Sequence, residues 1–220
     1  MILGMTRYLP KEHAMRNGRS RWMLALMLLF ATLPARGAVP GFPDVVDSSF
    51  TEANGDRTLQ LAIVVPASAK DAFAAFATAE GWKTWAVPFA VGEPRVGAVM
   101  ETAYRLDAKP GDRGNIRNQF IAWLPERLVV FRNVQAPPDF PNPDLFAKVV
   151  SVVEFVPIGP ASTRIVMSGV GYGPGPGFDE LYRMFQGGNA WSLAQLKRRF
   201  ETGPVDWKAQ LAPKLDPSPK

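Results

Sequence analysis

Apolar and polar positions follow two different periods along the chain, and these periods predict its first elements. Residues 58–65 are apolar and rich in β-branched side chains, which predicts a strand. Ser68 then offers an N-cap, and apolar residues at helical spacing predict a helix over 69–78. Trp82 and Trp85 follow in a short helical turn. The domain therefore begins with a strand and two helical segments.

The middle of the chain predicts a run of strands, and the end predicts a helix. Four prolines in residues 136–144 predict an extended surface loop, and residues 178–201 predict one long helix. Short turns between strands favour antiparallel neighbours, so the fold class is α+β, with a curved antiparallel sheet wrapped around the long C-terminal helix. The predicted strands of this middle part are Ala98–Leu106, Ile116–Leu124, Arg127–Asn133, Phe146–Val156 and Thr163–Val170.

Three stretches carry a resemblance to a known family. Residues 63–85 join a strand and Pro-Ala to a helix and a tryptophan-bearing turn, residues 120–131 form a hairpin, and residues 178–204 form the closing helix. In these features the chain resembles the START-like (SRPBCC) superfamily of helix-grip proteins. Within it, the chain is most similar to the branch of the Aha-type heat-shock-protein ATPase activator. The resemblance covers residues 58–204 and implies a hydrophobic tunnel between the sheet and the long helix. It supplies no catalytic motif, so we assign no catalytic residue.

The N-terminal residues have the pattern of a secretory signal peptide. Three arginines precede an apolar run at 22–33, and small residues at 35 and 37 predict cleavage before Ala38. Met15 is an alternative start. Because the run is shorter than the roughly 20 residues that span a bilayer, we expect an exported, periplasmic or secreted protein without a stable membrane anchor after cleavage. The predicted organisation is a signal peptide at 1–37, a poorly specified leading segment at 38–57, a START-like ligand-binding domain at 58–204 and a C-terminal tail at 205–220.

Removal of the signal peptide would change the composition of the chain. Six of the 25 basic residues and one of the 20 acidic residues lie before Ala38, so the rest carries 19 of each and no net charge. The only histidine, His13, also lies there, and the chain has no cysteine. This composition excludes Ser-His-Asp and Cys-His catalysis, imidazole or thiolate metal sites and an overall basic nucleic-acid binder. We expect no cofactor, no metal and no nucleic-acid partner.

Alternation along the strands selects the residues that would face the tunnel. In the predicted strand 146–156 the small apolar side chains and Ser151 share the inner face. Arg117, Asn118 and Gln119 cannot all point to solvent, so at least one is a candidate polar group inside. Two adjacent glycines in the long helix, Gly187-Gly188, cost roughly 2 kcal/mol relative to alanines, which favours a kink or the close approach of another group. The predicted wall residues are Tyr104, Asn118, Phe120, Ser151, Phe155, Met167, Phe185, Gly188 and Trp191.

These patterns favour a binding protein that holds a small hydrophobic or amphipathic molecule and performs no covalent chemistry. One alternative is an enzyme of the cyclase or hydrolase type, acting through Tyr, Arg, Asp or Glu, with Glu101 and Arg105 among the candidates. A second alternative is a protein-interaction or chaperone-assisting module. For the tryptophans, packing in the core is favoured over stacking on a ligand.

Overall fold

The computed structural model describes residues 37–212, which form ten strands and five helices. Residues 1–36 of the predicted signal peptide and residues 213–220 of the predicted tail lie outside the described residues. The elements, in chain order, are β1 (Gly37–Val39), β2 (Phe42–Asp47), β3 (Phe50–Thr51), β4 (Arg57–Val65), α1 (Ala69–Ala77), α2 (Ala79–Trp82), β5 (Phe89–Val91), β6 (Val99–Ala103), β7 (Ile116–Leu124), β8 (Leu128–Gln135), α3 (Pro143–Phe146), β9 (Val150–Gly159), β10 (Ser162–Tyr172), α4 (Pro176–Thr202) and α5 (Trp207–Leu211).

All ten strands belong to one antiparallel sheet with the order β1-β2-β4-β10-β9-β8-β7-β6-β5, and β3 also pairs with β4. The first long strand, β4, therefore lies beside the last strand, β10, and the strands between them follow as successive hairpins. The sheet curves around α4, which contacts β2, β4 and β10. This arrangement confirms the predicted α+β class and helix-grip fold.

The core forms where α1 and α4 pack on the inner face of the sheet. Ser68 begins α1 by accepting a hydrogen bond from the backbone N–H of Asp71 at 3.1 Å, which satisfies one of the free donors of the first turn. From α1, Phe73 and Phe76 reach the sheet, where their rings lie 5.3 and 6.0 Å from that of Phe155. The fully buried residues of α4 follow helical spacing, which fixes one face of the helix against the sheet: Leu181, Ala190, Leu193 and Leu196.

The leading segment is more ordered than the sequence predicts. Residues 37–51 form β1, β2 and β3, which continue the sheet beyond β4. The backbone N–H of Ser48, for example, donates to the carbonyl of Gln60 at 2.9 Å. Without this segment one side of β4 would be an unpaired sheet edge, so tertiary pairing overrides the weak local propensity of a chain rich in Pro, Gly and Asp.

Several other boundaries differ from the prediction; β6, for example, ends at Ala103 rather than at Leu106. Residues 143–146 form α3, so β9 begins at Val150 rather than at residue 146. Pro143 occupies the first position of α3, where its missing N–H costs no helical hydrogen bond. Residues 207–211, predicted as part of a tail, form α5, which Asp206 caps by accepting from the N–H of Ala209 at 3.1 Å.

Polar contacts tie α4 to one side of the sheet. Asp179 pairs with Arg57 of β4 at 2.8 Å, and Lys197 pairs with Asp44 of β2 at 2.7 Å. Between them Gln186 donates to Asp47 at 2.8 Å. The contacts on this side therefore extend along most of the helix.

α4 has 27 residues, which is long enough to cross a bilayer, but its sequence is not apolar enough for a membrane-spanning helix. Within residues 37–212, no helix is both long enough and apolar enough to cross a lipid bilayer.

Candidate functional site

A cavity of about 370 Å³ lies between the inner face of the sheet, the turn that follows α1, the proline-rich loop before β9 and the middle of α4. This volume is within the range of roughly 300–1,000 Å³ that is typical of small-molecule sites. The lining residues are Phe76, Trp82, Trp85, Ala86, Thr102, Tyr104, Ile116, Asn118, Phe131, Pro137, Phe140, Phe146, Val149, Ser151, Met167, Gly169, Tyr172, Met184, Phe185, Gly188, Asn189 and Ser192.

The structure brings most of the predicted wall residues together. Six of them line the cavity: Tyr104, Asn118, Ser151, Met167, Phe185 and Gly188. They come from five separate elements or adjoining turns, so their proximity depends on the fold rather than on closeness in sequence. α4 continues without interruption through Gly187-Gly188, and a Cβ built on Gly188 meets no atom within 4 Å. Gly188 lies one helical turn from Met184 and from Ser192, which also line the cavity, and it leaves open space where a side chain would begin.

The structure corrects the prediction for the other three residues. Phe120 is 2% exposed and packs edge-on against Trp123 at 5.1 Å, and Phe155 is 1% exposed in the cluster with α1. Both belong to the buried core, where other side chains of the protein cover them, and neither lines the cavity. Trp191 is 37% exposed although it directly follows the buried Ala190 in α4. Consecutive residues of an α-helix point about 100° apart, so the Trp191 side chain turns away from the buried face.

Aromatic side chains outside the predicted set of wall residues form much of the wall. Trp85 is buried and donates its indole N–H to the carbonyl of Ala75 at 2.8 Å, while Trp82 donates to the carbonyl of Phe76. These hydrogen bonds to the end of α1 hold both indole rings beside Phe76. The ring centroid of Phe76 lies 5.5 Å from that of Trp82 and 5.7 Å from that of Trp85. The two tryptophans therefore belong to the core and line the cavity at the same time.

The proline-rich loop contributes a second aromatic group. Phe140 and Phe146 lie 4.9 Å apart, and Phe146 lies 4.8 Å from Phe185 of α4. Residues 136–144 were predicted to be an extended surface loop, but Phe140 is half-buried and lines the cavity, as does the half-buried Phe146 at the end of α3. Four prolines limit the conformations of the loop, which reduces the entropy lost when it packs against α4.

Tyr172 reaches the cavity because of an irregularity in β10. Strict alternation from Met167 and Gly169 would point residue 172 to the outer face. A β-bulge between Val170 and Tyr172, with Gly171 at φ 96°, inserts one residue and turns the tyrosine inward. A Cβ on Gly169 would lie 2.9 Å from the Tyr172 ring, so glycine is needed there to accommodate it.

A small polar region lies on the inner face of β6 and β7. Thr102 and Asn118 are diagonal neighbours there, because Thr102 pairs with Ile116 and Met100 pairs with Asn118. Asn133 of β8 lies next to them and donates its side-chain amide to Asn118 Oδ1 at 3.2 Å. Of the polar residues that the alternation argument left open, Asn118 is therefore the one that lines the cavity.

The titratable groups in the described lining are two phenols, Tyr104 and Tyr172. Partial burial raises the pKa of Tyr104 at the cavity mouth. The pKa of Tyr172 is also raised, mainly by burial and to a smaller extent by the neighbouring phenol of Tyr182. Both phenols are therefore uncharged at neutral pH. In residues 37–212, no group of three or more Asp, Glu, His or Cys side chains could hold a metal ion.

The candidate acid–base residues have structural contacts outside the cavity. Glu101 is buried and accepts hydrogen bonds from the N–H of Gly111 and from Asn115 Nδ2, both at 2.7 Å. Its carboxylate thereby fixes the turn between β6 and β7. Arg105 is exposed and pairs with Asp107 and Asp112 in the same turn. The geometry gives both residues a role in loop structure.

Several solved structures have the same fold. The Aha1 dimer from Colwellia psychrerythraea has a TM-score of 0.53 at 16% identity, covering 66% of this chain and 97% of that one. CalU16 from Micromonospora echinospora has a TM-score of 0.51 at 13% identity, covering 73% and 86%. Protein MLL2253 from Mesorhizobium loti has a TM-score of 0.52 at 17% identity, covering 68% and 100%. Identities this low show a shared fold alone, and that fold is the one the START-like resemblance implies.

No curated protein matches the chain. A family match is nevertheless present over most of the domain. Residues 56–201 match the family described as polyketide cyclase / dehydrase and lipid transport, which confirms the START-like (SRPBCC) resemblance. The matched region includes every residue that lines the cavity. The chain therefore belongs to the polyketide cyclase / dehydrase and lipid transport family.

Proposed function

We propose that this protein binds one small, uncharged, largely apolar molecule in the cavity beneath α4 and performs no covalent chemistry on it. The observation that carries this proposal is the lining of the 370 Å³ cavity, which consists of aromatic, aliphatic and neutral polar side chains. A charged ligand would lose its hydration there without gaining a countercharge from the described lining. A neutral aromatic or aliphatic molecule would instead gain from burial against the aromatic walls.

The same lining supports binding over catalysis. General acid–base catalysis works best with a group whose pKa lies near the working pH. The two phenols of the described lining have pKa values raised above the ordinary value near 10, which moves them away from neutrality. The carboxylate of Glu101 is engaged by Gly111 and Asn115 away from the lining. A cyclase-type enzyme is therefore the less supported alternative.

Binding of N-phenyl-1-naphthylamine, a neutral aromatic dye, tests the proposed function. We expect one molecule per chain, with saturable fluorescence enhancement and a rise in melting temperature, because a ligand that binds only the native state stabilises it. Native mass spectrometry of protein from its own cells is expected to show an additional small molecule. The proposal fails if the dye does not saturate, neutral aromatic and lipid libraries cause no thermal shift, and the native protein carries nothing.

We also propose that the protein acts outside the cytoplasm, because the pattern of residues 1–37 is that of a signal peptide. N-terminal sequencing of the protein recovered from its own cells is expected to begin at Ala38. Cleavage there would remove only Gly37 from β1 and leave the rest of the described sheet intact. Recovery of an uncleaved N-terminus in the cytosolic fraction would contradict this proposal about location.

A further inference from the structure

The orientation of one side-chain amide follows from the hydrogen bonds around Asn133. Asn133 Nδ2 lies 2.9 Å from the backbone carbonyl oxygen of Gln135 and 3.3 Å from that of Arg117. Carbonyl oxygens only accept hydrogen bonds, so the atom of Asn133 between them must be the amide nitrogen. The third neighbour of this nitrogen, in Asn118, must then be the oxygen, Oδ1, at 3.2 Å. The network thereby fixes the rotation of the Asn118 amide as well.

Because the Oδ1 atom of Asn118 accepts from Asn133, the Nδ2 atom of Asn118 is the one that remains to donate hydrogen bonds. Asn118 is 7% exposed and lines the cavity, and within residues 37–212 no group accepts a hydrogen bond from this nitrogen. Its diagonal neighbour Thr102 is 1% exposed, also lines the cavity, and its hydroxyl has no hydrogen-bond partner in the described part of the chain. Neither atom is among the fully buried polar atoms that lack a partner in residues 37–212, so both remain accessible from the cavity and can donate to a molecule inside it.

From these contacts we infer that the ligand carries an uncharged hydrogen-bond acceptor, such as a ketone, ester or amide carbonyl, which accepts from Asn118 Nδ2 where β7 lines the cavity. This inference rests on the proposed function and specifies the chemical class of its ligand. A carbonyl oxygen has two lone pairs, so it can accept from Asn118 and Thr102 together. The remainder of the ligand then lies against the aromatic walls formed by α1, the turn after it and the proline-rich loop.

The inference also excludes free carboxylates as preferred ligands. Binding a carboxylate would bury its charge beside two neutral donors, without a cation in the described lining. A neutral carbonyl loses less hydration and recovers it from the same donors. A hydrocarbon of the same shape binds more weakly for another reason, since it covers the amide nitrogen and leaves it unsatisfied.

Three ligands of nearly equal shape test the inference by displacement of N-phenyl-1-naphthylamine at pH 7.5. They are 2-acetylnaphthalene, its hydrocarbon isostere 2-isopropenylnaphthalene, and 2-naphthoate. We expect the ketone to bind about tenfold more tightly than the hydrocarbon, and the carboxylate to bind more weakly than the ketone. Equal affinities for ketone and hydrocarbon would overturn the inference and leave the proposed function standing. Failure of the dye and of all three compounds to bind would overturn the proposed function itself.

A pair of variants locates the donor. Asn118→Leu removes it, so we expect the ketone and the hydrocarbon to bind within about twofold of each other. Asn133 keeps its two backbone acceptors in this variant, which preserves the structure behind the site. Gln119→Leu is the matched control, because Gln119 is the next residue of β7 and does not line the cavity. A ketone preference that survives in Asn118→Leu would overturn the assignment of this donor. The comparison in the unmodified protein needs no substitution and holds even if a variant fails to fold.

Discussion

Replacement of Gly188 by leucine is expected to abolish binding of N-phenyl-1-naphthylamine and to raise the stability of the protein. Gly188 lines the cavity from the middle of α4, and a Cβ there meets no atom within 4 Å. The new side chain can therefore extend into the space that the ligand would occupy. We expect the dissociation constant to rise at least about a hundredfold, which corresponds to roughly 2.8 kcal/mol. Titration of the dye by fluorescence measures this loss.

The neighbouring residue provides a matched control for this prediction. Gly187 is also exposed within α4 and has open space at its Cβ, but it does not line the cavity. Leucine has a better helix propensity than glycine, so each substitution is expected to stabilise the helix by roughly 0.5–1 kcal/mol. Both variants should melt at a higher temperature, and only Gly188→Leu should lose the dye. Equal loss in both, or full binding in Gly188→Leu, would argue against the cavity as the binding site.

Truncation of Phe155 is expected to have the largest effect on folding. Phe155 is fully buried and contacts the rings of Phe73 and Phe76. Removing such a side chain loses both its burial and its packing, which costs about 3–5 kcal/mol. Urea unfolding of Phe155→Ala, analysed at constant slope, is expected to show this decrease in the free energy of unfolding.

Phe185 supplies the comparison for that measurement. It is half-buried, it packs against Phe146, and part of its surface faces the cavity rather than the protein. Because its side chain is only half-buried, Phe185→Ala should cost less than about 2 kcal/mol of folding free energy and should weaken dye binding instead. If Phe185→Ala proved the more destabilising of the two, the division between core and cavity wall described above would be wrong.

Local signals predict the elements whose order the fold depends on. The β-branched run of β4, the serine cap of α1 and the exact span of β7 are all encoded within a few residues, and each appears in the structure as predicted. The strands β1, β2 and β3 escape such a prediction because they exist through pairing with β4 and with each other. The β propensity of a short segment contains no information about a distant strand with which that segment can pair, so pairing at a sheet edge is not predicted from it.

Alternation along a strand identifies a face but gives no position along it. Asn118 and Phe120 are both inward residues of β7, yet the first borders the cavity and the second is covered by packed side chains. The same limit separates Ser151 from Phe155 on β9. Tyr172 was missed for a different reason, since the bulge at Gly171 changes the parity of β10. In the sequence, Gly171 is the local sign that the alternation of inward and outward side chains changes there.

The unequal attachment of α4 has a consequence for how the proposed ligand would be exchanged. On one flank the helix is joined to β2 and β4 by Arg57–Asp179, Gln186–Asp47 and Lys197–Asp44, and its buried leucines are part of the core. On the other flank, the proline-rich loop meets α4 through half-buried aromatic rings and one exposed hydrogen bond, from Asn142 to Glu180. Outward displacement of the loop would expose the cavity, which Pro137 and Phe140 line, and would leave the buried residues of α4 packed. Loading and release are therefore expected to proceed on the loop side, with α4 as the stationary wall.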